Sequence, residues 1–434
     1  MGLQSDRRGV FMLAAGAAVA AGAAARSGLA ATPRASYFVP GYVPDAAFRR
    51  GTPLVEDDQA ARAIPDGYGG PMTMVSRIDP TAESIRRAVL PFAGHAIAVH
   101  PTGGSALFVA MNGPVSFNFD AESLDVVRSI EAHDHGYVFG GHAVFARERG
   151  VVLVTERRDT TLRFTGSAAE HYGRISVRDA DSLAVLDVWD CQGIAPHELT
   201  LTADGGHVVV ANYGSTAWPA DRESPVEGVD YGVEPCLTVL DAANGTLVAK
   251  RLGPDRKTEV RHVAAHRLDR IVGLQVRATS FEDAQRRLRR VEGIYERDSS
   301  ERDGLGYLPV PFLLADATAE TEAPRTLMAD DPMRMIRGQS IIADPIHDEA
   351  IATFTTSNTI AVVGGDGSLR RLIATDRLGL HWPRGIALLP DGVHYAVAGD
   401  WENIFIFRRG DHALVREACV YATLFGHSHI TAAA

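Results

Sequence analysis

The sequence predicts an all-β fold, a seven-bladed β-propeller with one blade closed by strands from both chain ends. Three observations predict it: a four-strand unit that recurs along the chain, tight polar turns within it that carry glycine in several copies, and a polar residue, usually histidine, opening each unit. With 434 residues and 46% apolar content the chain can bury a large core. Its 42 glycines and short apolar runs favour strands and turns over helices.

Residues 1–30 read as an export leader rather than as fold. Arg7-Arg8 precede an alanine- and glycine-rich apolar stretch that runs to Ala25, and Gly28-Leu29-Ala30 offers a small-residue cleavage site. The paired arginines are similar to a twin-arginine signal, with Phe11 one place later than usual. The alternative, a membrane anchor, needs roughly 20 well-hydrophobic residues, which this run does not supply. Twin-arginine export implies a periplasmic location, and no transmembrane segment is expected in the mature chain. Residues 31–65 are read as an N-terminal extension and 66–434 as the propeller domain. Removing residues 1–30 takes away three arginines and one aspartate, so the formal charge moves from −11 to −13. That balance excludes nucleic acid as a partner, because phosphate binding rewards clustered Lys and Arg. Cys191, Cys236 and Cys419 match no metal or redox spacing, and at most one disulfide is possible.

The repeat decides the architecture. The first unit has His95 to His100, the turn Pro101-Thr102-Gly103-Gly104, Leu107 to Ala110, Val115 to Asp120 and Leu124 to Ile130. The second opens at His142, the third at His197 with the turn Ala203-Asp204-Gly205-Gly206, the fourth at His262, the fifth at Gln339 and the sixth at Arg384. Asp-Gly and Gly-Gly between apolar runs are hairpin signals, since glycine supplies the positive φ such turns need. Adding His429 gives intervals of 47, 55, 65, 77, 45 and 45 residues, so the shortest fit bare four-stranded blades and the longer ones carry insertions. The insertions 158–172, 214–235 and 278–306 fall between second and third strands, and Phe281 to Val291 has the pattern of a short amphipathic helix. The seventh unit is split: His429 to Ala432 opens it, and Met72 to Asp79 with Ser84 to Leu90 supply its missing strands. That pairing would cover an exposed edge. A six-bladed ring with a loose C-terminus is the competing arrangement.

First strands line a propeller's central channel, so the blade-opening residues should converge. Five of these seven positions are histidine (His95, His142, His197, His262, His429), in a chain with 16 histidines in all. That concentration points to a site at the channel mouth, where imidazoles could bind iron, copper or zinc, a metal complex or haem. The expected metal ligands are His142, His197, His262 and His429, with His133 and His135 from an entering loop. Asp134 and His427 lie in such loops too. His95, Gln339, Arg384, Arg337, Asn212, Tyr213, Glu156 and His381 are expected around a bound ligand, the arginines suiting an anionic one. A wet channel that merely favours polar residues is the alternative. His197-Glu198 could instead serve as an acid–base pair in an enzyme. It lacks metalloprotease spacing, and Ser215 lacks a nucleophile elbow. A protein-interaction scaffold is the third reading.

Gly141-His142-Ala143-Val144-Phe145, Thr155-Glu156, Gly193 to Leu199, Val210 to Gly214, Pro235 to Asp241 and Val260 to Val263 carry a family resemblance. Over roughly residues 65–425 the chain resembles a family of twin-arginine-exported bacterial proteins that is catalogued only as a domain of unknown function. That family is similar to YVTN and WD40-like seven-bladed propellers. The resemblance loosens after about residue 280. The family's association with periplasmic iron-uptake systems containing imelysin-like proteins implies a role near metal acquisition and a periplasmic protein partner. Pro196-His197-Glu198 through Asn212-Tyr213-Gly214 is also similar to lactonase propellers, which implies a lactonase-like hydrolase or a metal-dependent oxidoreductase as alternatives.

Overall fold

The computed structural model describes residues 35–42, 70–159, 168–215, 234–280, 284, 305–320, 323–426 and 429–433. The proposed leader, most of the extension, the helix over 281–291 (Ala284 apart) and His427 lie outside the described residues.

Seven antiparallel sheets form the blades. Their first strands are Gly94–Val99, Tyr137–Ala146, Pro196–Leu201, Glu259–Arg267, Gly338–Asp344, Pro383–Leu388 and Thr431–Ala433. Each touches the first strand of the next blade, and the last touches Gly94–Val99, so the ring is closed. Six sheets follow chain order from the first strand outwards. In the fourth, a short hairpin strand, Leu305–Leu308, pairs with the far end of Arg270–Ser280.

The apolar runs sit where the packing demands them. Second and third strands are sandwiched between neighbouring blades, so both their faces are buried. Val151–Arg158, His207–Asn212 and Glu349–Phe354 accordingly read as near-continuous apolar runs rather than alternating ones. Outermost strands face water, and Val126–Glu131 and Leu247–Leu252 are largely exposed. The core is therefore a set of wedges between blades: Phe38, Phe108 and Phe139 share one cluster although they come from three different blades.

The seventh blade is built as the sequence suggested, from both ends of the chain, with one correction. The C-terminal strand pairs not with Thr73–Asp79 but with Ser36–Tyr42, which stands between them (Tyr37 opposite Ala432 and Ile78). Part of the expected extension is thus propeller. Pro40 stands opposite Val75, but the C-terminal strand on its other side pairs only with Ser36, Tyr37 and Phe38, so residue 40 is an edge position on that side.

Blades five and six are stapled at the far end of the channel strand by Asp344. Its carboxylate accepts from Arg409, Nε at 2.8 Å and also Nη2, and both groups are buried. Burial pushes the Asp344 carboxyl up, but the hydrogen bonds from Arg409 and His347 outweigh it and hold the group at about 2. The pair therefore contributes its stability above pH ~4 and loses it as pH falls through about 2. Asp344→Ala would leave a buried guanidinium unpaired and should cost about 3–5 kcal/mol in denaturant melts at neutral pH. The deficit should shrink below pH ~3 as the parent's own carboxylate protonates.

Candidate metal centre

The side chains that open the blades are aimed by a repeated irregularity. In each of the first six blades the pairing of first and second strands slips at the blade-opening position or, in blade four, at the residue just before it. The slips lie at Gly94/Ala96, Phe139/Ala143, Pro196/Leu199, Val260/His262, Gly338/Ser340 and Pro383/Ile386. Such β-bulges turn a side chain out of the sheet's alternation. In blades three, five and six the residue two places earlier (Ala195, Arg337, Trp382) has φ of 54°, 59° and 48°. Non-glycine residues there are strained, and the strain recurs just where the chain turns inward. Threonines lock the result. Thr155 Oγ1 donates to the His197 carbonyl at 2.9 Å, and Thr353 Oγ1 donates to the Arg384 carbonyl at 2.6 Å.

The five histidines meet. His95, His142, His197, His262 and His429 each offer a ring nitrogen within 4.8 Å of all the others, and all five are buried. His95 Nε2 lies 3.2 Å from His197 Nε2 and 3.1 Å from His429 Nε2. Behind them, His197 Nδ1 meets the Gly140 carbonyl at 2.6 Å, and His429 Nδ1 lies 3.4 Å from Ser340 Oγ. His142 Nδ1 is 3.9 Å from Glu198 Oε1, while its Nε2 and both nitrogens of His262 have no hydrogen-bond partner among the described residues.

Protons alone do not satisfy this arrangement. A carbonyl only accepts, so His197 Nδ1 carries its proton and its Nε2 is a bare lone pair. His95 Nε2 has a single site with which to meet two neighbours, so one of its two contacts stays unsatisfied whatever the tautomers. A cation at the centre would satisfy all of them together. Nitrogens about 2.1 Å from a shared ion stand about 3 Å apart at right angles and about 4.2 Å apart across it. The observed separations have that scale. Burial first, and the nearby Arg384 and Arg261 second, lower His95 to about 3. Burial likewise holds the other four well below the ordinary 6.5, so the lone pairs are available to a metal. Imidazole sets of this kind suit zinc, copper, iron and nickel.

Glu198 faces His142 and accepts from the Val263 N–H at 2.8 Å. Burial, against the Val263 hydrogen bond, pushes its carboxyl up to about 8. At that value the group is largely protonated at neutral pH; a cation held by His142 would favour its ionised form, and a carboxylate behind a ligating imidazole raises that ring's basicity.

The remaining expected residues are dispersed. His133 and His135, expected as ligands, are exposed and outside the five-histidine group; the His133 N–H donates to Glu156. Glu156 itself is buried between Arg174 and Arg178. Asn212 is tied to the Val210 and Cys236 carbonyls and to Thr238. His381 is exposed beside Trp382. Tyr213 does reach the centre, with its ring 4.8 Å from that of His197 and Arg261 5.0 Å above it. Arg337 lies over Tyr307. Gln339 and Arg384 fill the two ring positions without histidine, and Arg384 bonds both Asp400 (2.7 Å) and Gln339 (3.4 Å).

Sequence reasoning missed Gly140 and Gly141. A Cβ on Gly140 would meet the Pro196 carbonyl at 2.4 Å, and one on Gly141 would meet the His95 and His197 rings at 2.9 and 3.0 Å. The Gly-Gly pair directly before a blade-opening histidine was the available signal.

No curated protein matches this sequence. Among solved structures, Kuenenia stuttgartiensis hydrazine synthase is similar, with a TM-score of 0.51 and 11% identity, over 78% of this chain and 90% of that one. At that identity the likeness shows the fold alone. Residues 88–300, which contain four of the five clustered histidines, match the family described as "Protein of unknown function (DUF1513)", so this seven-bladed propeller carries the DUF1513 signature.

Proposed function

We propose that the protein binds a single transition-metal ion in its central channel through the five histidines. The observation that carries this is the convergence of buried Nε2 atoms 3.1 and 3.2 Å apart with too few protons to satisfy them. A group of nitrogens all within 4.8 Å suits one bare ion better than haem or a bulky complex. Iron, copper and zinc all fit the donor set. A periplasmic location through twin-arginine export is supported by Arg7-Arg8 and the apolar run behind them. A part in iron acquisition beside a periplasmic partner rests on the family resemblance.

Metal titration across pH tests the reading. Protons compete for a ligand nitrogen only below its folded-state pKa, and here burial has moved those values down, His95 to about 3. Tight uptake of one ion per chain is therefore expected near pH 7 and should persist near pH 5, where a surface histidine site is largely protonated. Calorimetry on demetallated protein at both pH values checks this. Affinity no better than that of scattered surface histidines, or lost already at pH 6, would reject it.

A further inference from the structure

The inner ring has two parts. Blades one to four and seven contribute imidazoles, while blades five and six contribute Gln339 and Arg384, side by side. Ser340, next in sequence to Gln339, has its hydroxyl 3.4 Å from His429 Nδ1, so this polar sector closes directly against the histidines. The Arg384 field also reaches His95, His262 and His429. Arg384 is buried and held by Asp400 at 2.7 Å.

A guanidinium carries donors and no acceptor, so it cannot ligate a metal. The histidines offer at most five nitrogens, and transition ions take up to six ligands. Coordination is therefore incomplete towards a sector in which Arg384 cannot ligate and the Gln339 amide oxygen is turned to the Arg384 guanidinium at 3.4 Å. Charge points the same way. Five neutral imidazoles leave a divalent ion uncompensated, Asp400 is committed to Arg384, and Glu198 lies behind His142. A group seated between the ion and Arg384 must offer one lone pair to the metal and accept hydrogen bonds from the guanidinium, which is how arginine receives carboxylates and phosphates.

We infer that the Gln339–Arg384 sector receives a small oxyanion, a carboxylate or phosphate, that completes the coordination of the bound metal. This rests on the metal reading above.

Cobalt(II) serves as the probe, because its visible absorption reports loading and then any change of ligand. Full-length demetallated protein is loaded with cobalt and titrated separately with acetate and with inorganic phosphate. A saturable spectral change with either is expected. It should weaken at least about tenfold in Arg384→Met/Asp400→Asn, which removes both members of the buried pair, and also weaken in Gln339→Leu, which leaves that pair intact. A response to acetate alone or to phosphate alone identifies which oxyanion fits, and either supports the inference. No change up to about 10 mM, or the same response in both variants, overturns it while cobalt loading remains. Absence of the cobalt bands themselves overturns the metal reading and this inference together.

Discussion

Replacing His95 with leucine should remove most of the metal-induced stabilisation while moving the metal-free protein by no more than about 1 kcal/mol. His95 is the hub of the centre, with contacts to His197 and His429 at 3.2 and 3.1 Å and its ring edge-on to His142. In the metal-free state one of those contacts is unsatisfied, so the residue brings little net hydrogen bonding and a desolvated imidazole. Leucine gives up one hydrogen bond and gains apolar burial, and the two roughly offset. With metal the balance differs. An ion supplied at 1,000 times its dissociation constant stabilises the fold by about 4 kcal/mol. A hundredfold loss of affinity leaves about 1.4 kcal/mol of that at the same concentration. Thermal melts with and without metal measure both terms. His135→Ala is the control, since that exposed side chain lies outside the cluster and its loss should leave the metal shift intact. An undiminished shift in His95→Leu would mean that the ion binds elsewhere.

The ring and its inward histidines were legible because the relevant signals are local. A glycine-bearing turn follows the first strand in blades one, two, three and six, and one position in the unit repeats His, so counting suffices to bring His95 and His429 together although 334 residues separate them. What was not legible depends on departures from strand periodicity. Glu198 follows His197, yet the register slip between Pro196 and Leu199 lets the carboxylate reach His142 and Val263 on other blades. No alternation rule predicts that direction. His133 and His135 share composition and neighbourhood with the true cluster, but their loop is anchored by Glu156 and leaves them at the surface. Glu156 looked like a ligand because a buried acid looks the same in sequence whether it serves a metal or, as here, two arginines. Ser36–Tyr42 escaped because Pro40-Gly41 interrupts a strand of only 7 residues whose partners are the chain's last strand and one more than 30 residues ahead.

That short strand carries the largest stability effect expected in the molecule. Deleting the chain through Tyr42 should prevent stable folding and abolish metal binding, although the deleted segment contributes no metal ligand. Tyr37, Phe38 and Val39 are at most 1% exposed. Phe38 points into the wedge with Val75, Leu90 and Phe108, while Tyr37 and Val39 point into the opposite wedge with Leu389, Ala396 and Ile406. One strand thus fills the gaps on both sides of blade seven. Phe38→Ala alone should cost about 3–5 kcal/mol, a large part of the roughly 5–15 kcal/mol that holds a domain folded. Ile85→Ala, at a side chain 43% exposed on the same blade, should cost a small fraction of that. Without the strand, Thr431–Ala433 loses its sheet partner, and His429, two residues earlier, loses the tether that brings its Nε2 to 3.1 Å from His95. Denaturant melts of the Phe38→Ala and Ile85→Ala variants, followed by metal titration of the truncated chain, separate the two consequences. A truncated protein that melts with the parent and still takes up metal would show that the wheel closes without its N-terminal strand.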